Sequence, residues 1–300
     1  MKKTVLQDGN FNTKYEPLIY LAPFLFGVIL WVLYPFINVI LISFKENYNQ
    51  LTDNFNGIGF QNYIDVITHR SFLNALRNTA LYVITVVPIS TILSIIFANL
   101  LNQKIKGIAL FQTAFFLPLV TSATAIGLVF KLMFNTNFGA INQILMMFNI
   151  SPIHWLDNPA YNIYTLVVFG VWNIMPFTII LLLSGLQNIN PMYYTVAKVD
   201  GASNLKMFFR ITIPLLAPTI GIVLIINTIS CSKVYSQLFP LFTGRPGIAD
   251  NLYTVVYYIY QQFYEKWELG KAASASVILF IILFLLTMLQ LRMQKKWKHY

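Results

Sequence analysis

Charge is what this chain has least of. Of its 300 residues only 10% are Asp, Glu, Lys or Arg, 57% are apolar, and the mean hydropathy is +0.65. A soluble domain carries about 25% charged residues, so the composition argues against a water-soluble globule and for a membrane protein. Cysteine is nearly absent. The single Cys231 excludes an intrachain disulfide and a cysteine-based metal cluster, and is expected to pack as a small apolar side chain. Acids are scarce: Asp8, Glu16, Glu46, Asp53, Asp65, Asp157, Asp200, Asp250, Glu265 and Glu268, none inside a long apolar run. A proton-coupled carrier needs a titratable group near the midplane, usually a carboxylate, so proton coupling through this chain is disfavoured. A phosphate-cradling loop is missing too. The one Gly-Lys pair, Gly270-Lys271, runs into Ala272 and lacks the earlier glycine of Gly-x-x-x-x-Gly-Lys-Ser/Thr. No cofactor is expected in this chain, and any ATP chemistry belongs to a partner.

What the chain has is long apolar runs. A helix needs roughly 20 apolar residues to cross a bilayer, and six stretches qualify: about 18–44, 78–101, 108–134, 163–187, 213–236 and 269–291. Backbone amides in lipid must bond within their own segment, so all six are expected to be helices. The fold class is therefore all-α, a polytopic membrane protein with six transmembrane helices. It divides into an N-terminal tail (1–17), a transmembrane domain (18–292) and a basic tail (293–300). Lys2 and Lys3 precede a polar stretch and then a run longer than a signal-peptide core, so the first run is expected to be a retained span.

The net charge of +10 is scattered rather than gathered on one face, which speaks against nucleic acid as a partner. It follows topology instead. With the N-terminus inside, Lys2, Lys3, Lys14, Lys104, Lys106, Lys198, Lys206, Arg210, Arg292, Lys295, Lys296 and Lys298 are cytoplasmic. Only Lys45, Arg70, Arg77, Arg245 and Lys266 lie outside. Both termini are expected to face the cytoplasm of a cell membrane. Outside, a short helix is expected after Ile58-Gly59, and a second, amphipathic one near 139–150. Prolines 23, 35, 88, 118 and 176 fall within spans, where they kink helices or open carbonyls to a cavity.

The connection between the fourth and fifth runs is the most informative stretch. From Pro191 to Lys206 it has room for a short helix and a turn, with Tyr194, Ala197 and Lys198 on one face. Gly201 permits a backbone turn there, and a second short helix carries Phe208 and Phe209 before Pro214. Such a two-helix knob suits docking into a partner's groove. An ordinary interfacial loop is the plain alternative.

Ala197-x-x-Asp200-Gly201-Ala202, followed by Phe208, Ile213-Pro214 and Pro218, resembles the signature loop of ABC importer permeases. Gly59-Phe-Gln-Asn-Tyr63, Phe72-Leu-Asn-Ala-Leu-Arg-Asn-Thr79, Phe116-Leu-Pro118, Phe134-Asn-x-x-x-Gly139 and Leu186-Gln187 occur in the order of carbohydrate-type permeases, the maltose and multiple-sugar class. The resemblance spans roughly residues 18–292. It implies a translocation subunit with no catalysis of its own, partnered by a second homologous permease, an ABC ATPase dimer that binds ATP and Mg, and an extracellular solute-binding protein. The substrate it implies is an oligosaccharide or other glycoside, with an acidic sugar or glycerol phosphate as the alternative. A non-transporting membrane scaffold for an ATPase is the alternative of another class. Tyr194, Thr195, Ala197, Asp200, Gly201 and Ala202 are the residues it marks for ATPase coupling. The family's loop opens on Glu-Ala-Ala where this chain has Thr195-Val196-Ala197, so without that Glu docking is expected to rest on shape and on Asp200-Gly201-Ala202.

Polar residues inside spans mark a candidate substrate path, although small hydroxyls more often knit helices together. Trp172 and Asn173 are one candidate pair, since an indole face stacks on a sugar ring and an amide bonds two hydroxyls. The outer half of the fifth run is the other, with Asn227, Ser230, Val234 and Gln237 falling on one face beside Lys233 and Tyr235. Lys233 has no carboxylate in the spans to pair with. It can snorkel outward, meet an acid on a partner permease, or face an anionic substrate.

Overall fold

The computed structural model describes residues 16–103, 106–242, 246–247 and 251–297. Most of the expected N-terminal tail and the last three residues of the basic tail lie outside these. Helix dominates. The first long helix, α1 (Tyr20–Phe44), ends in a minimal antiparallel ribbon, β1 (Lys45–Glu46) with β2 (Gly57–Ile58), in which Lys45 faces Ile58. Next come the short α2 (Gln61–Thr68) and the long α3 (Arg70–Leu101), followed by α4 (Ile108–Phe116) and α5 (Ala123–Met133). The short α6 (Ala140–Met147) precedes the long α7 (Asn162–Gln187), and α8 (Met192–Val199) leads into α9 (Asn204–Ser232). Two short helices, α10 (Leu238–Phe242) and α11 (Val255–Tyr260), sit before the last long helix, α12 (Leu269–Trp297).

Five of these helices are long and apolar enough to cross a membrane: α1, α3, α7, α9 and α12. The candidate for a sixth crossing is a bent pair. The run expected to be one helix over 108–134 breaks at Leu117–Val120, a 3-10 turn, and α4 and α5 diverge by 107°. Pro118 contributes by lacking an N–H for the helix ladder and by crowding the preceding turn, while extended backbone at Thr121 (ψ 143°) and Ser122 makes the bend itself. Ser122, extended at ψ 127°, then restarts the helix as its N-cap.

The core lies where α3, α7 and α9 meet. Leu182, Ile179 and Leu216 are fully buried with Ala98 at one end of this seam. Toward the other end Phe169, Tyr82, Leu238 and Cys231 pack together with Phe130 of α5. Gly170 lets α3 and α7 close up, because a Cβ there would lie 2.1 Å from the Tyr82 hydroxyl. Small residues at helix crossings serve this purpose in membranes, where apolar area alone does not drive helices together. A third cluster joins α2, α3, α11 and α12 through Val66, Phe72, Tyr258 and Ala275.

Asparagines staple the loops at the α12 N-terminal end. Asn162 and Asn251 exchange two amide hydrogen bonds (2.7 and 2.9 Å), and Asn78 donates to the carbonyls of Asn251 and Tyr253. Asn142 is a hub: it donates to the Thr136 and Ile153 carbonyls and accepts from the Ile153 amide and the Trp155 indole. These amides satisfy irregular backbone that would otherwise be orphaned near the membrane.

Candidate functional site: the α8–α9 knob and the broken span

The connection between α7 and α9 folds as a helix, a turn and a helix start. The α8 helix ends at Asp200, and Gly201 takes φ +72° so that Ala202 N–H can return to the Ala197 carbonyl at 2.9 Å. That is a glycine-terminated helix end, in which the left-handed residue follows the last helical turn. Ser203 then caps α9 by accepting from the Lys206 amide (3.3 Å). No separate second helix follows. Phe208 and Phe209 fall in a π turn, Phe208–Thr212, and the helix continues unbroken into the membrane. The knob is thus α8, the Gly201 turn and the start of α9.

Of the residues singled out for coupling, Asp200 and Gly201 are exposed and Ala197 and Ala202 half-buried. Thr195 is exposed, and its hydroxyl donates to the Pro191 carbonyl (3.3 Å). Tyr194 turns inward, its hydroxyl 3.0 Å from that of Thr212 on α9. Beside Thr195, Asp200 and Gly201, the outward surface carries apolar residues that the sequence pattern did not single out. Tyr193, Val196, Val199 and Leu205 are 56%, 51%, 83% and 69% exposed. Their signal was the i, i+3, i+6 spacing of Tyr193, Val196 and Val199, which the polar character of the loop obscured.

The candidate path residues do not form one stripe. The fifth run was expected to stay helical to 236, but α9 stops at Ser232, and Lys233 (φ −97°, ψ 20°) leaves the helix. Past Lys233 the chain folds over into α10. Val234, expected on the polar face, is buried in the core. Asn227 is buried and trades hydrogen bonds with Thr178 of α7 (3.0 and 3.3 Å), so it knits two helices. Ser230 and Lys233 are exposed. Gln237 accepts from the Tyr235 amide (3.3 Å) and the Ser236 hydroxyl (3.2 Å). Tyr235 stacks among Phe239, Tyr257 and Tyr260, and burial, with Tyr260 adding to it, raises its phenol above the ordinary range.

Trp172 and Asn173 are half-buried on α7. The Trp172 ring packs on Phe130 at 5.3 Å and borders a cavity of about 290 Å³ shared with Phe115, Pro118 and Met175. The break in the sixth crossing therefore opens beside Trp172. Thr121 and Ser122 are exposed at that break. Irregular backbone at membrane depth is tolerated only where protein or a water-filled cavity covers it.

The sequence family described as the binding-protein-dependent transport system inner membrane component matches residues 69–299. The chain belongs to this family. It is thus a multi-pass inner-membrane component of a binding-protein-dependent ABC transport system, not an enzyme. Among individual relatives, the arabinooligosaccharides transport system permease protein AraP of Halalkalibacterium halodurans is 32% identical over 96% of this chain and 90% of its own length. The trehalose/maltose transport system permease protein MalF of Thermococcus litoralis is 28% identical over 95% of this chain and 97% of its own. The fold also matches a chain of a bacterial alginate ABC transporter solved with an alginate pentasaccharide-bound periplasmic protein. The TM-score is 0.82 at 21% identity, covering 95% of this permease and 96% of that chain.

Proposed function

We propose that this permease subunit forms half of a translocation path for an oligosaccharide or glycoside, delivered by an external solute-binding protein and driven by ATP hydrolysis in a partner. The observation that carries this reading is the broken span beside Trp172. It sets Pro118 beside an indole and leaves Thr121 and Ser122 exposed at the same break, in a chain whose family moves solutes. A second homologous permease would supply the other wall and cover the exposed break. The names of the relatives, arabinooligosaccharides and trehalose/maltose among them, support a carbohydrate.

Energy enters at the knob. Its exposed apolar face, Tyr193, Val196, Val199 and Leu205, fits a hydrophobic groove on an ATPase subunit. Movement imposed there passes to α9 directly, since the knob is continuous with it and Tyr194 bonds to Thr212. With both termini in the cytoplasm, the knob lies inside and the α12 N-terminal end outside. ATP and Mg are held by the ATPase pair, and closure of that pair would alternate the access of the path.

The test is uptake of radiolabelled oligosaccharides by the importer reconstituted in proteoliposomes with its binding protein. Val196→Glu together with Val199→Glu should abolish uptake and ATPase capture while leaving the protein in the membrane. Retained capture would overturn the docking assignment. Failure of every neutral oligosaccharide delivered by the cognate binding protein to be taken up would overturn the substrate class.

A further inference from the structure

At the opposite end of the long helices from the knob lies a second cavity, which shares no lining residue with the one at the broken span. Its volume is about 320 Å³, within the range of small-ligand sites. One wall is the turn after β1, with Asn47, Asn49 and Gln50. The other is the start of α12, with Trp267, Glu268 and Lys271.

The walls are held rigidly. Asn62, 6% exposed, donates to the carbonyls of Ser43 (3.1 Å) and Lys45 (2.9 Å), pinning the end of α1. The hydroxyl of Ser274 donates to the same Ser43 carbonyl at 3.0 Å, fixing α12 against it. The ribbon β1–β2 closes the turn at its base.

The backbone is left-handed on both sides of the opening. Asn47 takes φ 51° and Trp267 φ 58°. For asparagine the left-handed region is common, whereas for a bulky aromatic it is a genuine outlier. The flanking amides enforce it: Lys266 N–H donates to the Gln261 carbonyl (3.0 Å) and Glu268 N–H to the Gln262 carbonyl (2.8 Å). A turn that needed only to turn would carry Gly or Asn here. Its occupant is instead a tryptophan left 64% exposed beside the cavity. Strain of this kind gathers at ligand sites, where the rest of the fold over-determines it.

An exposed indole, three amide side chains and an ammonium give an apolar face ringed by donors and acceptors, the chemistry that recognises a pyranose. Charge narrows the class. Lys271 is already matched by Glu268 at 3.2 Å and Asp65 at 4.0 Å, so it has no surplus positive charge to offer a carboxylate. We infer that this cavity is an accessory binding site for a neutral saccharide, separate from the translocation path, with Trp267 as its stacking platform. The inference rests on the carbohydrate reading above, and places a holding site at the face where substrate arrives.

The test uses the assembled importer in nanodiscs without its binding protein, probed by saturation-transfer NMR with maltotriose, arabinotriose and the acidic trigalacturonate. A neutral trisaccharide should give signal, the acidic one at least tenfold less. Trp267→Asn removes the ring yet suits the backbone, so the variant should melt no lower than the parent while saccharide signal falls at least tenfold. Unchanged signal in Trp267→Asn, or no signal from any probe on the parent, would overturn the site. So would a variant that loses binding-protein-driven uptake although neither protein binds saccharide directly, because the surface would then be a protein contact. Uptake by the complete importer reports on the path independently. Saccharide bound here with no sugar transported would sink the proposed substrate and leave this site standing.

Discussion

The hydroxyls of Tyr194 and Thr212 meet at 3.0 Å, tying the α8 helix of the knob to the first turns of α9. One residue is from the loop, the other from the helix that runs on through the membrane. Any displacement of α8 by a partner is therefore transmitted by a hydrogen bond as well as by chain continuity. A bond of this kind is worth about 1 kcal/mol. Tyr194→Phe should leave membrane insertion intact and reduce ATP-driven uptake several-fold, and Thr212→Val should do the same. Combining the two should cost no more than either alone, as for members of one pair. Proteoliposome uptake normalised to protein amount reads this, and additive losses would show that the two residues act separately.

Gly201 at φ +72° has open space where a Cβ would stand. A Cβ there has nothing within 4 Å beyond its chain neighbours, so the penalty is chiefly backbone strain of about 1–2 kcal/mol. Gly201→Asn should retain most uptake, because asparagine tolerates that region. Gly201→Leu should insert normally and fail in ATPase capture by affinity pull-down. Equal capture by both variants would refute a role for this turn in docking.

Asn227 and Thr178 are buried and bonded to each other between α9 and α7. Asn227→Leu should lower the melting temperature in detergent, since it strands the Thr178 hydroxyl at a cost of about 1–3 kcal/mol. The transport constant of the variant should stay within twofold of the parent. A shift of tenfold or more would return Asn227 to the substrate path.

Lys233 stands exposed just past the C-terminus of α9, where a cation offsets the helix dipole by about 0.3–1 kcal/mol. Lys233→Met should cost a little stability, and Lys233→Arg none. Transport constants for neutral and acidic oligosaccharides should move together. A much larger rise for the acidic sugar alone would assign Lys233 to charge recognition.

The run of apolar residues made the helical class and the segments fit to cross a membrane legible, because a bilayer allows few alternatives to a spanning helix. Local chemistry showed the Gly201 turn as well, since Asp-Gly-Ala after a short helical pattern is read from adjacent residues. The path was another matter. Asn227, Ser230 and Gln237 look alike as polar residues at helical spacing, yet one is buried against Thr178, one is exposed, and one lies beyond the helix.

The sequence by itself determined which segments must enter the membrane and where the chain must turn. Those outcomes follow from hydropathy and from the backbone limits of proline and glycine, which act within a few residues. Tertiary structure alone decided that Trp172 lies against the break in the third run, that Tyr194 faces Thr212 rather than solvent, and that Asn47 and Trp267 face one cavity. Such contacts join residues far apart in the chain. They are set by packing among helices, which no local pattern encodes.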